Sequence, residues 1–167
     1  MLIEVFSFSP LSTAELDVEK ETYLSVWNKT GFHSEFDAYI DSEPYGYGAY
    51  DEHHTNLFKQ GDILFLYIEP AGFTNKSFPD EKNDTLYLMN FTADVLVSNK
   101  EGKVIASTEN IPIREIVSHH INTELYLTLA INQTIPFPIG EYILQYFITD
   151  RNSGKNFEIV KDVQIGI

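Results

Sequence analysis

Residues 140–167, GEYILQYFITDRNSGKNFEIVKDVQIGI, form the most regular stretch of the chain. Apolar and polar side chains alternate up to Thr149, and they alternate again as far as Ile165. Residues 150–154, DRNSG, separate the two runs with residue types that favour turns. A period of two is the pattern of a strand, so the stretch predicts an antiparallel hairpin.

Three further blocks predict strands of the same kind. Residues 61–70, GDILFLYIEP, are apolar on both faces and predict a buried strand that is stopped by its proline. Residues 86–97, LYLMNFTADVLV, alternate, and a turn at residues 99–102 connects them to KVIAST (103–108) in a second hairpin. Residues 124–132, ELYLTLAIN, alternate as well.

Two connecting segments are less regular. Residues 71–85 predict a polar loop. Residues 111–120, IPIREIVSHH, fit either a short helical turn or a connection across the molecule, because their period is ambiguous.

The first 60 residues have weaker patterns. LIEVFSFS (2–9), TAELDVEKE (13–21) and YLSVWNKTG (23–31) each alternate and predict strands. Residues 12–15 also form a capping box that would start a helix at residue 13, and the alternation of apolar with acidic residues favours the strand. Residues 43–54, EPYGYGAYDEHH, predict an irregular loop.

The composition agrees with one all-β domain. A chain of 167 residues supports one well-buried core, and twelve Phe with ten Tyr favour strands. Short strands separated by turns predict a single antiparallel β-sandwich over residues 1–167, with about seven to nine strands. Its part at 1–60 is less regular, and 61–167 provide the core strands. No cysteine is present, which excludes disulfides and thiolate chemistry.

Two stretches resemble a known group of modules. GEYILQYFITDRNSGKNFEI (140–159) is similar to the last hairpin of immunoglobulin-like and fibronectin-type-III-like modules of bacterial and archaeal surface proteins, which has Gly-x-Tyr, alternating apolar residues, Asp and a Gly turn. FKQGDILFLYIEP (58–70) is similar to the Phe-x-x-Gly-Glu/Asp strand opening of the same group. The resemblance covers residues 58–167 and implies an immunoglobulin-like sandwich on a prokaryotic cell surface. It implies no site residue, because such folds host many functions.

The charge of the chain limits its partners. With 25 acidic and 11 basic residues, the net charge is −14, which repels nucleic-acid phosphates and anionic lipid headgroups. No stretch has the 18 or so consecutive apolar residues of a transmembrane helix, and residues 1–9 do not have the pattern of a signal peptide. We therefore expect no nucleic-acid partner and no membrane span. For an exported protein, Met1 would stand where a leader was removed.

Two adjacent histidine pairs are candidate ligands for Zn²⁺ or Cu²⁺. They would need to meet at one end of the molecule, although neighbouring residues on a strand point to opposite faces. The four histidines are His53, His54, His119 and His120.

An acidic loop is a candidate Ca²⁺ site, because carboxylate and amide oxygens lie close together there without matching the EF-hand pattern. Its ligands would be Asp80, Glu81, Asn83 and Asp84. No catalytic motif is present: the sequence has no Gly-x-Ser-x-Gly elbow, His-Glu-x-x-His, P-loop or dinucleotide fingerprint. We expect no enzyme activity and no required cofactor.

Five Asn-x-Ser/Thr triplets are present, where eleven Asn and 23 Ser plus Thr would give roughly one or two by chance. All five fall in predicted turns or on the polar faces of strands, so they are candidate N-glycosylation sites. Their asparagines are Asn28, Asn75, Asn83, Asn90 and Asn132.

A tyrosine-rich loop is a candidate platform for a sugar or peptide ligand, because Tyr45, Tyr47 and Tyr50 offer flat rings with polar tips. Packing of these rings over the end of a sheet is the favoured alternative.

These features predict a non-catalytic secreted or cell-surface module with a structural or adhesive role. It would bind a protein or glycan partner, or associate with itself through an edge strand, with LIEVFSFS (2–9) as the candidate strand. The alternatives are a module that binds its ligand through Ca²⁺ or a transition metal, and an intracellular accessory domain in the cytoplasm.

Overall fold

The computed structural model describes Val18, residues 23–27 and residues 29–167. Of these residues 57% lie in strands and 6% in helices, so the chain is all-β as predicted. Nine strands are found in this part of the chain. They are β1 (His33–Ile40), β2 (Leu57–Lys59), β3 (Leu64–Ala71), β4 (Lys76–Pro79), β5 (Thr85–Asn99), β6 (Val104–Ser118), β7 (Leu127–Ile131), β8 (Gly140–Asp150) and β9 (Asn156–Gly166).

The strands form two sheets. The smaller sheet has the order β1-β3-β7 and is antiparallel. The larger sheet has the order β2-β9-β8-β5-β4, and β6 also pairs with β5. All of its pairs are antiparallel except β2 and β9, which run parallel at Leu57–Lys59. One of the two sheets is curled like half of a barrel.

Strand β6 is an edge of the larger sheet. Tyr87 of β5 pairs with Ser77 of β4 on one side and with Ser118 of β6 on the other. Strand β8 pairs with residues 91–99 of β5 on the same side as β4, since β6 occupies the other side there. Strand β6 pairs with no strand except β5 within the described residues, so its outer edge has no partner strand in that part of the chain, and we call it the free edge of β6.

The hydrophobic core contains side chains from both sheets. Every second residue of β8 from Tyr142 to Asp150 is buried, which confirms the predicted period of two. Leu64, Leu66 and Ile68 of β3 belong to the same cluster and have no exposed surface. Burial of each large apolar side chain contributes about 1.5–3 kcal/mol, so this cluster is the main source of stability.

The predicted hairpin at residues 140–167 is present, and its turn is fixed by Asp150. The fully buried carboxylate accepts hydrogen bonds from the backbone N–H groups of Thr74 at 3.0 Å and Asn152 at 2.9 Å, and from the Ser153 hydroxyl at 2.7 Å. The Asn152 side chain donates to the carbonyl oxygens of Thr74 and Leu88. The turn is thereby connected to the segment between β3 and β4.

The prediction of a strand at residues 23–31 is wrong, because residues 23–27 and 29–30 are helical. Tyr23 and Trp27 lie one turn apart with ring centroids at 6.4 Å. The Trp27 ring packs edge-on against Phe73 at 5.2 Å and donates from Nε1 to the Phe73 carbonyl at 3.2 Å. Trp27 and Phe73 are 46 positions apart in sequence, which explains why the local pattern led to a wrong prediction of a strand.

The prediction of a strand at residues 13–21 is wrong at Val18, which is helical. The other residues of this segment lie outside the described residues. The predicted strand at residues 2–9 also lies outside them.

Four other differences concern connecting segments, one additional strand and one strand end. The predicted loop at 71–85 contains β4, and the ambiguous segment at 111–120 continues β6 as a strand up to Ser118. Strand β1 had not been predicted. Pro70 does not stop β3, because it pairs with Ser34 beside a register shift and β7 pairs with β3 only as far as Ile68.

Candidate functional site

A groove of about 650 Å³ lies where the two sheets leave an opening between β6 and the end of β7. It is lined by Val95 and Val97 of β5, by residues 105–108 and Ile111 of β6, and by residues 130–138, which form the end of β7 and the loop after it. The groove thus runs between the free edge of β6 and the loop that follows an edge strand of the smaller sheet. We call it the seam.

The loop on one side of the seam is held in place by Gln133, which is buried. Its Oε1 accepts a hydrogen bond from the Phe137 N–H at 2.9 Å, and its Nε2 donates to the Asp62 carbonyl at 3.0 Å. The Phe137 ring packs on Tyr142 at 5.5 Å, and the Phe137 carbonyl accepts from the Gln60 side chain at 2.9 Å. The loop is therefore a fixed wall of the seam.

Large apolar side chains around the seam are exposed. Ile105 has 43% of its surface exposed and Ile135 has 83%. Residues 104–108, VIAST, include no charged residue. Exposed apolar side chains beside an unpaired strand edge are typical of a place where another chain binds.

Strand β6 is also irregular. Its pairing register with β5 shifts at three places, which are Phe91/Thr92, Ala93/Val95 and Val97/Ser98. Asn110 has a φ of 55°, in the left-handed region that Asn tolerates better than most residues, and Asp94 accepts its N–H at 2.7 Å. Register shifts of this kind bend a strand and limit how far a second strand can pair with it.

The tyrosine-rich loop folds over the outer face of the smaller sheet. Gly46 and Ala49 form a tight turn in which Gly48 has a φ of 64°, a conformation that glycine adopts without strain. The Gly48 N–H donates to the hydroxyl of Tyr67, a β3 residue, at 2.8 Å. Packing of the loop on a sheet, the favoured alternative, is thus what the structure shows for Tyr50, whose ring lies 4.4 Å from that of Tyr67.

The structure brings together rings from distant parts of the chain. Phe36 of β1 stacks on Tyr50 at 5.9 Å, and Tyr67 stacks on Tyr126 at 5.6 Å. Tyr47 lies close to Glu69, the carboxylate that accepts the Tyr67 hydroxyl, and has 44% of its surface exposed, while Phe36 has 37% exposed. Tyr45 instead donates to the Asp51 carboxylate at 2.9 Å. We call Phe36, Tyr47, Tyr50, Tyr67 and Tyr126 the aromatic surface.

Carboxylates surround this aromatic surface. The Tyr67 hydroxyl donates to Glu69 Oε1 at 2.7 Å, and burial together with this bond raises the pKa of Tyr67. Partial burial and the charges of Glu69, Glu124 and Glu35 raise the pKa of Tyr47. Within the described residues these three glutamates form no ion pair with lysine or arginine. The region is therefore aromatic and negatively charged at once.

One cation already lies on the aromatic surface. The Arg114 guanidinium of β6 lies 4.6 Å from the centroid of the Tyr126 ring and donates to the Tyr126 carbonyl at 3.1 Å. A positive charge over a ring face is attracted by the electron-rich face. The other end of the ring stack, at Phe36 and Tyr47, has no such cation among the described residues.

The histidine pairs are not assembled into a site. Both ring nitrogens of His53 are engaged, with Nδ1 2.7 Å from Asp41 Oδ1 and Nε2 3.0 Å from the Leu57 carbonyl. The Thr55 hydroxyl also lies 3.3 Å from Nε2, so both ring nitrogens face protein groups and neither points into an open ligand site. His54 is exposed near Glu52, while His119 and His120 lie exposed between β6 and β7.

The predicted Ca²⁺ ligands form a turn. Asp80 Oδ1 accepts the backbone N–H groups of Lys82 and Asp84, both at 2.8 Å, and Asn83 has a φ of 68°. Asp80 therefore shapes the loop as an Asx turn does, and Glu81 is exposed beside it. Over residues 23–27 and 29–167 no group of three His, Asp or Glu side chains is arranged to hold a metal ion.

The candidate glycosylation sites differ in their surroundings. Asn83 and Asn132 are exposed, and Asn90 donates to Glu115 Oε2 at 3.0 Å. Asn75 is partly buried and exchanges two hydrogen bonds of 2.9 Å with the backbone of Asn122, which leaves little room for a glycan. Asn28 lies outside the described residues.

Sequence reasoning had not identified Phe36, Glu69 or Arg114, which lie on three different strands. Only Glu69 lies between two buried residues, so no local burial pattern identifies Phe36 or Arg114, and the three meet only in the folded chain. Within the described part of the chain, no helix is long and apolar enough to cross a membrane.

No family model matches the chain, and no curated protein matches it. One solved structure with some similarity is the alkylpurine DNA glycosylase AlkC of Pseudomonas fluorescens, bound to DNA containing an abasic site analog. The TM-score is 0.44 at 7% identity, and the match covers 93% of this chain and 38% of that enzyme's chain. This chain therefore spans less than half the length of that enzyme, and a similarity this low supports no inference about fold or activity.

Proposed function

We propose that the chain is a non-catalytic structural or adhesive module of a cell surface, with an immunoglobulin-like β-sandwich fold. In this proposal it associates with a second copy of itself, whose predicted strand at residues 2–9 lies extended in the seam. The observation behind the proposal is the apolar seam beside the free edge of β6.

The sandwich interpretation is supported by the shared core. Residues of β3 from the smaller sheet and of β8 from the larger sheet belong to one hydrophobic cluster. The hairpin of β8 and β9, with its buried Asp150 and its glycine turn, also agrees with the resemblance to immunoglobulin-like modules. A sandwich with unclosed edges requires some means of covering them, and pairing with another chain is one such means.

The length and the residue types of segment 2–9 fit the groove. The groove runs along β6 from about Ile105 to Ile111, and eight extended residues span roughly 26 Å at about 3.3 Å each. Segment 2–9, LIEVFSFS, has this length, contains five apolar residues and has one charged residue. It lies outside the described residues, and residues 10–22 connect it to the helical turn at 23–27.

Net charge opposes such self-association, which makes the proposal testable. Two chains of −14 repel each other, and salt screens this repulsion. We therefore expect self-association to become stronger between about 0.05 M and about 0.5 M salt, since an apolar contact is not weakened by salt. Sedimentation velocity over a range of protein concentrations measures this directly.

Matched variants locate the contact. Ile135→Lys at the exposed rim and Val5→Pro in the predicted strand are both expected to give a monomer. Val160→Lys adds the same charge at an exposed position of β9 that does not line the seam, and is expected to associate like the natural chain. A natural chain that stays monomeric at every salt concentration would exclude the second copy as occupant. A monomer whose melting temperature falls with Val5→Pro would show that the segment lies in its own seam.

The cell-surface location is supported by the number of glycosylation triplets and by the resemblance to surface modules. Intact-mass analysis of protein from its native host tests this part separately. Glycans add mass above 19.1 kDa, with Asn83 as the expected site because it is exposed and does not line the seam, whereas Asn132 lines it. A mass equal to that of the sequence would favour the intracellular accessory domain.

A further inference from the structure

The exposed end of the aromatic surface combines two features that attract cations. Phe36 and Tyr47 are partly exposed to solvent, and the Tyr50 ring stacks on that of Phe36. Glu35 and Glu69 stand next to these rings on β1 and β3, and no described lysine or arginine neutralises them.

The contact of Arg114 with the same ring stack indicates which kind of cation these rings accept. Arg114 lies over Tyr126 at the other end, and its planar guanidinium both covers the ring and donates a hydrogen bond. A guanidinium stacks on aromatic rings and forms two parallel hydrogen bonds to a carboxylate, which an ammonium group does not. Rings next to carboxylates that form no ion pair with a described lysine or arginine therefore suit arginine better than lysine.

We propose that the aromatic surface binds an arginine side chain from a basic segment of a partner polypeptide. The guanidinium would stack over Phe36 and Tyr47 and donate hydrogen bonds to Glu69 and Glu35. A partner with a basic segment also complements the charge of −14, which increases the rate of association. This surface shares no residue with the seam, so it is independent of the self-association proposed above.

Binding of a fluorescent peptide of alternating Arg and Gly tests this proposal. The titration is performed at about 0.15 M salt, where charges more than about 8 Å apart are largely screened. We expect saturable binding that Glu69→Gln and Tyr47→Ala each weaken by at least about threefold. A peptide of alternating Lys and Gly is expected to bind several-fold more weakly.

Two variants serve as matched controls. Glu101→Gln removes one charge in the exposed turn between β5 and β6, and Tyr45→Ala removes an exposed ring outside the aromatic surface. Neither is expected to change the affinity. The melting temperature of Glu69→Gln shows whether that variant is folded, because glutamine still accepts the Tyr67 hydroxyl. Absence of binding, equal weakening by Glu101→Gln, or equal affinity for the lysine peptide would each overturn the proposal.

Discussion

The hydroxyl groups of Tyr39 and Tyr146 lie 3.0 Å apart inside the core and share a hydrogen bond. Tyr39 belongs to β1 of the smaller sheet and Tyr146 to β8 of the larger one, so the bond joins the two sheets. Both side chains are buried, and burial raises the pKa of both phenols well above the ordinary value. The pair is thus a neutral polar contact in an apolar environment.

Removing one hydroxyl of this pair should cost more than removing both. Tyr146→Phe leaves the Tyr39 hydroxyl buried without a partner, which costs about 1–3 kcal/mol, whereas Tyr39→Phe with Tyr146→Phe leaves no unsatisfied group. A double-mutant cycle by urea unfolding measures the difference. Tyr45→Phe at the exposed surface is the control and should stay within about 0.5 kcal/mol of the natural chain. Additive single losses would contradict this account.

Alkaline pH should weaken the fold through the same two residues. Unfolded tyrosines lose their protons near pH 10.0, while Tyr39 and Tyr146 keep theirs because their pKa values are raised. Above about pH 10 the unfolded state binds fewer protons, so the free energy of unfolding falls with rising pH, by up to about 1.4 kcal/mol per pH unit for each tyrosine. Urea unfolding from about pH 9 to about pH 11 measures this slope, and the double phenylalanine variant should lose much of it. An equal slope in both proteins would show that other groups cause it.

Substitution of Asp150 should destabilise the fold more than substitution of most other polar residues. Asp150→Ala removes the acceptor for Thr74, Asn152 and Ser153 and leaves buried donors unsatisfied, which should cost about 3 kcal/mol or more. Asp162→Asn, on the exposed face of β9, is the charge-matched control and should change stability by less than about 0.5 kcal/mol. Thermal and urea unfolding of the two variants test this, and equal losses would refute a special role for the turn.

Gly72 should not tolerate any side chain. It has a φ of 69°, and a Cβ atom added there would lie 1.9 Å from the Gly31 carbonyl oxygen. Gly154 has a similar φ of 72° but open space around it. Gly154→Ala should therefore cost about 1–2 kcal/mol from backbone strain alone, and Gly72→Ala clearly more. Similar melting temperatures for the two variants would show that the chain near Gly31 moves aside without cost.

Chelation should leave the melting temperature unchanged. Asp80 Oδ1 already accepts two backbone N–H groups, and His53 uses both ring nitrogens, so neither depends on a metal for its hydrogen bonds. Differential scanning fluorimetry with and without EDTA, and with added Ca²⁺ or Zn²⁺, measures this. A shift with Ca²⁺ that Asp84→Asn abolishes would instead support the metal-dependent alternative.

The strands after residue 60 could be predicted because their burial has a local period. Strands β5, β8 and β9 alternate between a core face and an outer face, so the sequence shows which side is buried. The second half of β6 was ambiguous because an edge strand is solvated on more than one side, and its exposed residues blur the period. The helical residues 23–27 were misread because their main contact, Phe73, is far away in sequence.

The candidate sites were less predictable for a related reason. The tyrosine loop could be identified from its composition, but the proposed arginine site also includes Phe36, Glu69 and Tyr126, which are distant in sequence and meet only in the folded chain. Likewise, the seam exists because β6 and the end of β7 lie on the same side of the molecule. Neither arrangement leaves a pattern within a short window of sequence.

The three register shifts between β5 and β6 bear on how far assembly proceeds. Amyloid fibrils require identical strands stacked in a flat, uninterrupted ladder. Strand β6 does not provide such a template, because its backbone bends at each shift and Pro112 lacks a donor for the next strand. Copies joined at this opening should therefore remain soluble and separable, without converting into cross-β fibres.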